Sequence, residues 1–197
     1  MKRLKISLLF VLLIATSYKS NTIQEDTMEA RKVIEFEITN NIEEEEKLYD
    51  SLYNVIIEEI KKHEGFRNKV YLCPAGYPTI GYGHLIKDRE VFLHQITAEQ
   101  ADSILRCDFE RAIIMATFHS PKFKYPQFKF QKLAMGHFVF CKGVGRYSRS
   151  NLIKKVNANL DIKSEIVKWD VLQVNGKVTH HPKMLKNRLF EYEIYNK

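Results

Sequence analysis

The sequence of 197 residues is poor in cysteine, with only Cys73, Cys107 and Cys141. A disulfide-stapled scaffold uses an even set of cysteines, so this odd number leaves at least one thiol free or paired with another molecule. The chain also lacks internal repeats and low-complexity tracts. Its length and its hydrophobic content of 45% are ordinary for one globular domain with a sizeable core.

Long apolar runs are missing as well. The segment Ile6 to Ile14 is shorter than the roughly 20 residues that a transmembrane helix needs. Three basic residues precede it and the small residues Ala15-Thr16-Ser17 follow it, a pattern typical of a secretory signal. We therefore predict a signal peptide at residues 1–17 and export to the periplasm or the extracellular space. Retention of this segment as a membrane anchor is the alternative.

Metal-ligand spacing is absent too. His180 and His181 are adjacent but have no companion cysteine or aspartate at a useful distance in the sequence. They are interpreted as loop histidines. Neither a metal nor a cofactor is expected.

Charge is distributed unevenly along the chain. Residues 18–53 carry four Lys/Arg against ten Asp/Glu, whereas residues 54–197 carry 24 against 14. The acidic part, residues 18–47, is predicted to be a flexible spacer or a short exposed helix, and residues 48–197 the folded domain. A basic body suits a polyanionic partner, and the absence of a nucleic-acid-binding motif argues against nucleic acid.

An amphipathic helix is predicted to end near Glu64. Its apolar residues recur at three- and four-residue spacing, at Leu48, Leu52, Val55, Ile56 and Ile60. Gly65 suits the position after a helix end. Glu64 then lies in the last turn, where the helix dipole disfavours a negative charge by about 0.3–1 kcal/mol. Burial beside Phe66 and Tyr71 would add to this effect, and a carboxyl group kept protonated in this way suits general acid catalysis.

A β-hairpin is predicted to follow. Pro74-Ala75-Gly76 suits a tight turn, so Val70–Leu72 should pair with Tyr77–Ile80. Cys73 and Thr79 then lie close together and jointly position a small ligand such as water.

Glu64-Gly65, Tyr71 and the run from Thr79 to His84, TIGYGH, resemble the signature of the phage-type lysozymes, the endolysins of glycoside hydrolase family 24. The resemblance implies that Glu64 is the catalytic acid and that Cys73 and Thr79 hold the attacking water. Cys73 stands where the best-known members carry aspartate, although cysteine is an alternative in the family.

The resemblance covers about residues 50 to 195. Ile96–Asp102 is similar to the family's helix start after the hairpin. Phe138–Gly145 is similar to its FNxGxG stretch, with Cys141 where asparagine or glutamine is usual. Asn187–Glu191 is similar to its closing RRxxE helix, with the first arginine replaced. The implied fold is α+β and lysozyme-like, a small β-hairpin lobe packed against a mainly α-helical lobe with a cleft between them.

Three further residues are candidates for substrate binding by this resemblance. His84 closes the signature, and we interpret it chiefly as a hydrogen-bonding brace for the hairpin. Cys141 matches a position that lines the family's cleft. Arg188 either pairs with Glu64 or braces the last helix.

The implied activity is that of a muramidase. It hydrolyses the β-1,4 bond between N-acetylmuramic acid and N-acetylglucosamine in bacterial peptidoglycan and acts as a monomer. Two alternatives remain. One is a wall-binding module whose catalysis is weakened by Cys73, and the other is a thiol-dependent hydrolase of peptide or acyl bonds.

Overall fold

The computed structural model describes the backbone of residues 21–174 and 177–197, and the side chains of residues 31–171 and 179–197. The signal peptide predicted at residues 1–17 lies outside the described residues. In the part of the chain that is described, no helix combines the length and the apolar character needed to cross a membrane.

The first described element is a long helix, α1, Asn21–Glu64. The acidic segment, predicted to be a flexible spacer or a short exposed helix, is part of this helix from Asn21 onward. Neither glycine nor proline occurs in this helix, and both residue types would destabilise its interior. The described residues up to Leu48 and those from Tyr49 onward form two separate compact units.

The buried face of α1 differs from the predicted one. Ile56, Ile57 and Ile60 are buried, whereas Val55 and Leu48 are 44% and 40% exposed. Each residue turns an α-helix by 100°, so a face centred between Ile56 and Ile60 includes Ile57 and directs Val55 outward. Spacing alone had assigned Val55 to the core.

A three-stranded antiparallel sheet follows α1. Its strands are β1, Arg67–Leu72, β2, Pro78–Gly81, and β3, His84–Leu85, in the order β1-β2-β3. Tyr71 pairs with Thr79 and Leu72 with Pro78, and an irregularity separates Arg67 from Tyr71. The predicted hairpin is thus confirmed. Its second strand carries the buried residues, from Thr79 to Gly81.

The rest of the chain is mainly helical. The helices are α2, Ala98–His119, α3, Lys129–Lys142, α4, Val144–Ser148, α5, Asn151–Asn157, α6, Lys163–Ile166, and α7, Pro182–Tyr195. Short 3-10 turns at Pro121–Lys124, Pro126–Phe128 and Val167–Trp169 join some of them.

Local sequence signals define several helix ends. Thr97 and Gln100 form a reciprocal capping box at the start of α2. Ser150 accepts a hydrogen bond from the Ile153 amide and caps α5. Pro182 is the first residue of α7. At the first two starts, a side chain accepts a hydrogen bond from one of the free amides in the first helical turn. At the third, proline has no backbone N–H, so that position has no amide that needs a partner.

A second hairpin, which the sequence analysis did not predict, precedes α7. It consists of β4, Val171–Val174, and β5, Lys177–His180, paired antiparallel. His180 ends β5 and contacts the carboxylate of Asp170 at 2.9 Å. The histidine predicted to lie in a loop is therefore the last residue of a strand.

The core lies where α1, α2, α3 and α7 meet. It contains Ile56 and Ile57 from α1, Phe109 from α2 and Phe138 from α3 among other buried apolar side chains. The predicted fold class is confirmed: a mainly helical body with a small antiparallel sheet.

Helices α2 and α3 approach closely at Gly136. A Cβ atom added there would lie 2.4 Å from Ile113 Cγ1 and 3.1 Å from Ile113 Cα. Since the second contact involves backbone, the two helices must separate to admit a methyl group.

We predict that Gly136→Ala lowers the free energy of unfolding by about 1–3 kcal/mol, the usual effect of overpacking a core. Urea denaturation of the two proteins measures it. Gly145→Ala is the matched control, because a Cβ at Gly145 in α4 meets only the Arg149 guanidinium at 3.5 Å. Equal stability of Gly136→Ala and the wild type would contradict close packing here.

Candidate active site

Glu64 is the last residue of α1, and the chain leaves the helix axis directly after it. Gly65 has φ of +69°, and its amide donates a hydrogen bond to the Lys61 carbonyl at 3.0 Å. Glycine adopts this left-handed conformation without steric cost, so it ends the helix as predicted.

The surroundings of Glu64 are more open than the sequence suggested. The residue is exposed, and the predicted burial beside Phe66 and Tyr71 is wrong. Phe66 packs instead against Tyr82 with ring centroids 5.6 Å apart. Tyr71 contacts the Arg67 guanidinium, 4.6 Å from its ring centroid. Each aromatic ring thus has another partner within the small lobe.

The carboxylate of Glu64 lies against the turn that joins β2 to β3. A Cβ atom added at Gly83 would lie 2.9 Å from Glu64 Oε2 and 3.4 Å from Glu64 Cδ. Gly83 also has φ of +85°, a conformation that favours glycine. The absence of a side chain at Gly83 therefore leaves the space that the Glu64 carboxylate occupies.

Cys73 and Thr79 lie together at the far end of the same hairpin. The Cys73 amide donates to the Tyr77 carbonyl at 2.9 Å, and the Gly76 amide donates to the Cys73 carbonyl at 2.8 Å. Thr79 is 1% exposed, and its hydroxyl donates to the same Tyr77 carbonyl at 2.9 Å. These bonds fix the turn and bring the thiol next to the hydroxyl, as the sequence analysis expected.

Hydrogen bonds at the turn lower the pKa of the Cys73 thiol. The first of these comes from the Tyr77 backbone. The Ala75 and Gly76 backbone and the Thr79 hydroxyl act in the same direction and exceed the opposing effect of burial. The turn therefore stabilises negative charge on the sulfur.

His84 holds the small sheet to α2. Its Nδ1 lies 2.6 Å from Asp108 Oδ2, and its Nε2 lies 2.9 Å from Glu90 Oε2. The residue is buried, and its ring meets Phe92 edge-on. Both ring nitrogens are engaged by carboxylates, which is the geometry of a brace.

A second polar cluster connects α3 with α7. Cys141 Sγ lies 3.5 Å from His137 Nε2, and His137 Nδ1 lies 2.8 Å from Glu191 Oε1. His137 and Glu191 are buried, whereas Cys141 is an exposed residue. The thiol, the imidazole and the carboxylate form one continuous chain of contacts.

Arg188 belongs to this second cluster and not to Glu64. Its Nη2 donates to Glu191 Oε1 at 2.6 Å, and its guanidinium stacks on the Phe138 ring at 4.9 Å. Of the two predicted roles, the structure supports the brace for the last helix. Arg188 Nε and Nη1 have no hydrogen-bond partner among the described residues. The Glu191 carboxylate is already paired with the Arg188 guanidinium. A metal cation bound to this carboxylate would therefore be repelled by the positive charge of Arg188.

A cavity of about 290 Å³ opens beside the residue that precedes Glu64. It is lined by Val55, Glu59, His63, His137, Lys183, Lys186, Asn187 and Phe190. Burial and the charge of Lys183 lower the pKa of His63. The cationic side chains make this a basic recess next to the end of α1.

Sequence reasoning did not single out His137, Glu191, Asp108 or Glu90. One signal was present in the chain: His137 precedes Cys141 by four residues, which places both on one helix face. Asp108 and Glu191 lie on other helices, 24 and 54 residues away from their histidines, and Glu90 lies in the loop six residues after His84. No spacing rule connects these carboxylates to the histidines.

The geometry can be compared with known proteins. A model of the phage lysozyme family matches residues 61–189. An endolysin of Acyrthosiphon pisum secondary endosymbiont phage 1 is 34% identical over 140 residues, covering 69% of this chain and 91% of the relative.

Solved structures agree with these matches. The muramidase domain of SpmX from Asticaccaulis excentricus has a TM-score of 0.59 at 26% identity, covering 73% of this chain and 95% of that domain. The endolysin of Escherichia coli O157:H7 phage FAHEc1 has a TM-score of 0.57 at 28% identity, covering 71% and 89%. The chain therefore belongs to the phage lysozyme family, a family of cell-wall hydrolases.

Proposed function

We propose that this protein is a muramidase that hydrolyses the β-1,4 bond between N-acetylmuramic acid and N-acetylglucosamine in peptidoglycan. The observation that carries the proposal is the position of the Glu64 carboxylate against Gly83, in the turn that joins β2 to β3, next to the hairpin that carries Cys73 and Thr79. The acid at the end of α1 and the water-holding pair on the hairpin match the two tasks of glycoside hydrolysis.

Glu64 is the general acid in this proposal. Its carboxyl group donates a proton to the glycosidic oxygen as the bond to the sugar carbon breaks. The sugar carbon then carries the positive charge of an oxocarbenium-like transition state. The resulting carboxylate is left facing this charge and stabilises it.

Cys73 and Thr79 hold the water that attacks the sugar carbon. The Thr79 hydroxyl is oriented by the Tyr77 carbonyl, and the hydrogen bonds around Cys73 favour a sulfur that accepts a hydrogen bond from water. Water supplies the oxygen of the new reducing end. One of its protons leaves to solvent or to the sulfur.

The proposed substrate also agrees with the charge of the protein. Residues 54–197 carry a net charge of +10, from 24 Lys/Arg and 14 Asp/Glu, and peptidoglycan peptides carry carboxylates. Lys183 and Lys186 line the recess next to His63, where such a peptide would meet positive charge. Export through residues 1–17 and action as a monomer complete the proposal.

We predict that Glu64→Gln lowers the release of reducing ends from purified peptidoglycan by about 100-fold or more, because a positioned general acid contributes 10²–10⁴-fold. Glu58→Gln is the matched control. Glu58 lies on the same helix, outside the basic recess, and pairs with Lys61 at 2.8 Å. Wild-type activity in Glu64→Gln would remove Glu64 from the mechanism.

Substitutions at Cys73 separate water positioning from nucleophilic attack. We predict that Cys73→Asp stays active, because a carboxylate holds water equally well, and that Cys73→Ala loses about 10- to 100-fold. Intact-protein mass spectrometry during turnover should detect no sugar attached to the wild-type enzyme. Cys107→Ala controls for loss of an exposed thiol. An inactive Cys73→Asp together with a covalent glycosyl adduct would identify Cys73 as the nucleophile.

A matched pair of glycine substitutions tests the position of the Glu64 carboxylate against Gly83. Gly83→Ala and Gly76→Ala both introduce a side chain at positive φ, so each should cost about 1–2 kcal/mol of stability. A Cβ at Gly76 meets nothing within 4 Å, whereas one at Gly83 displaces the Glu64 carboxylate.

We therefore predict that Gly83→Ala lowers wall hydrolysis by up to about 100-fold, the effect of a misplaced catalytic group. Gly76→Ala should keep near wild-type activity in the same assay. Thermal melting of both variants controls for the shared backbone strain. Equal activities of the two variants would contradict the proposed position of the Glu64 carboxylate against Gly83.

A further inference from the structure

Cys141, His137 and Glu191 have the order of a nucleophile, a base and an orienting acid. The sulfur faces one ring nitrogen at 3.5 Å, and the carboxylate holds the other at 2.8 Å. This arrangement of thiol, imidazole and carboxylate is the one that activates a cysteine. It lies on α3 and α7, apart from the hairpin that carries Cys73 and Thr79.

The burial of the three residues differs in a way that suits reactivity. His137 is 4% exposed and Glu191 is 0% exposed, so packing fixes the imidazole and its orienting carboxylate. Cys141 is an exposed residue. The base is therefore held in the interior, and the thiol belongs to a residue that is itself exposed to solvent.

The cluster lowers the pKa of the Cys141 thiol. Burial around the sulfur opposes ionisation, but the charge and hydrogen bond of His137 outweigh it. Burial likewise opposes the charged form of His137, and Cys141 and Glu191 overcome it and raise the pKa of the imidazole. Both shifts have the same physical cause, the contact between the Cys141 sulfur and the His137 ring.

Further charges face this pair from each neighbouring element. Lys142 lies on the same helix and interacts electrostatically with Cys141 and Glu191, and Arg146 on α4 adds a positive charge close to Lys142. Arg188 on α7 adds a positive charge to the same site. His63 on α1 faces His137. The positively charged side chains around the Cys141 sulfur are therefore more numerous than the negatively charged ones, to which Glu191 belongs.

The other two cysteines provide comparison within the same molecule. All three cysteines are in the described part of the chain, and only Cys141 has its sulfur at hydrogen-bond distance from an imidazole. Cys107 is an exposed residue of α2. It therefore serves as an internal reference for an accessible thiol.

We infer that Cys141 is a reactive cysteine, activated by His137 and Glu191, that forms mixed disulfides with small anionic disulfides. The Cys141 thiolate attacks one sulfur of the small molecule, and the bond between its two sulfurs breaks. A new bond joins Cys141 to that sulfur, and the other half leaves as a thiolate that takes a proton from solvent. No net oxidation occurs, since the disulfide is exchanged, and a free thiol reverses the reaction.

The preference for an anionic partner follows from the charges. Lys142, Arg146 and Arg188 attract a carboxylate-bearing disulfide and repel an ammonium-bearing one of similar size. Salt weakens both effects, because exposed charges are screened. The inference does not depend on the proposed muramidase activity.

The experiment treats the full chain with 3,3′-dithiodipropionate or with cystamine near pH 6 and maps the adducts by peptide mass spectrometry. We expect dithiodipropionate to modify Cys141 at least about tenfold faster than Cys107, because the contact with the His137 imidazole favours the thiolate, which is the attacking species. Cystamine should react more slowly with Cys141, and high salt should reduce the difference. His137→Gln should slow modification of Cys141 to the rate of Cys107.

Iodoacetamide labelling of the wild-type chain across pH provides a test that needs no variant. Labelling of Cys141 should rise less steeply with pH than the roughly tenfold per unit that is expected of an ordinary thiol below its pKa. A tenfold rise per unit at Cys141 would overturn the inference. Faster reaction with cystamine would overturn the anionic preference. A rise in Cys141 labelling after addition of EDTA would show a metal ion on the sulfur and would also overturn it.

Discussion

The geometry of the candidate site depends on where α1 ends. Ile56, Ile57 and Ile60 anchor this helix in the core, and Gly65 ends it one residue after Glu64. One more or one fewer helical residue would turn this carboxylate by 100° and move it away from Gly83. Core packing on one side and a left-handed glycine on the other therefore fix the direction of an otherwise exposed acid.

The small sheet needs a different kind of support, because little of it is buried. Most of β1 is exposed, and Thr79, Ile80 and Gly81 of β2 supply the buried face. His84 connects the sheet to α2 through Asp108 and closes the loop that follows through Glu90. Hydrogen bonds between an imidazole and two carboxylates replace the apolar contacts that a larger sheet would have.

Local signals predicted the parts of the fold that local chemistry determines. The hairpin from β1 to β2, the end of α1 at Gly65 and the cap at Thr97 each follow from a few neighbouring residues. The juxtaposition of Cys73 and Thr79 followed from the hairpin register. The sequence pair Asn175-Gly176 is typical of two-residue turns. It could have been used to predict the β4–β5 hairpin, which the sequence analysis missed.

The remaining features depend on contacts between distant segments. The rotation of α1, with Ile57 inward and Val55 outward, is set by the elements packed against it. From the sequence, Arg188 could either pair with Glu64 or brace the last helix. Its contact with Glu191, seen only in the structure, decides between these two roles. Residues 31–47 differ, because they belong to α1 although none of them is buried. Their sequence, which lacks glycine and proline, favours a helix without help from packing.

Digestion of purified peptidoglycan in water enriched in heavy oxygen, followed by mass analysis of the fragments, tests the central claim most directly. If Glu64 protonates the leaving oxygen while Cys73 and Thr79 hold the attacking water, each new N-acetylmuramic acid reducing end carries one heavy oxygen. Fragments that end in an internal anhydro sugar without the label, or cleavage confined to the peptides, would contradict the account.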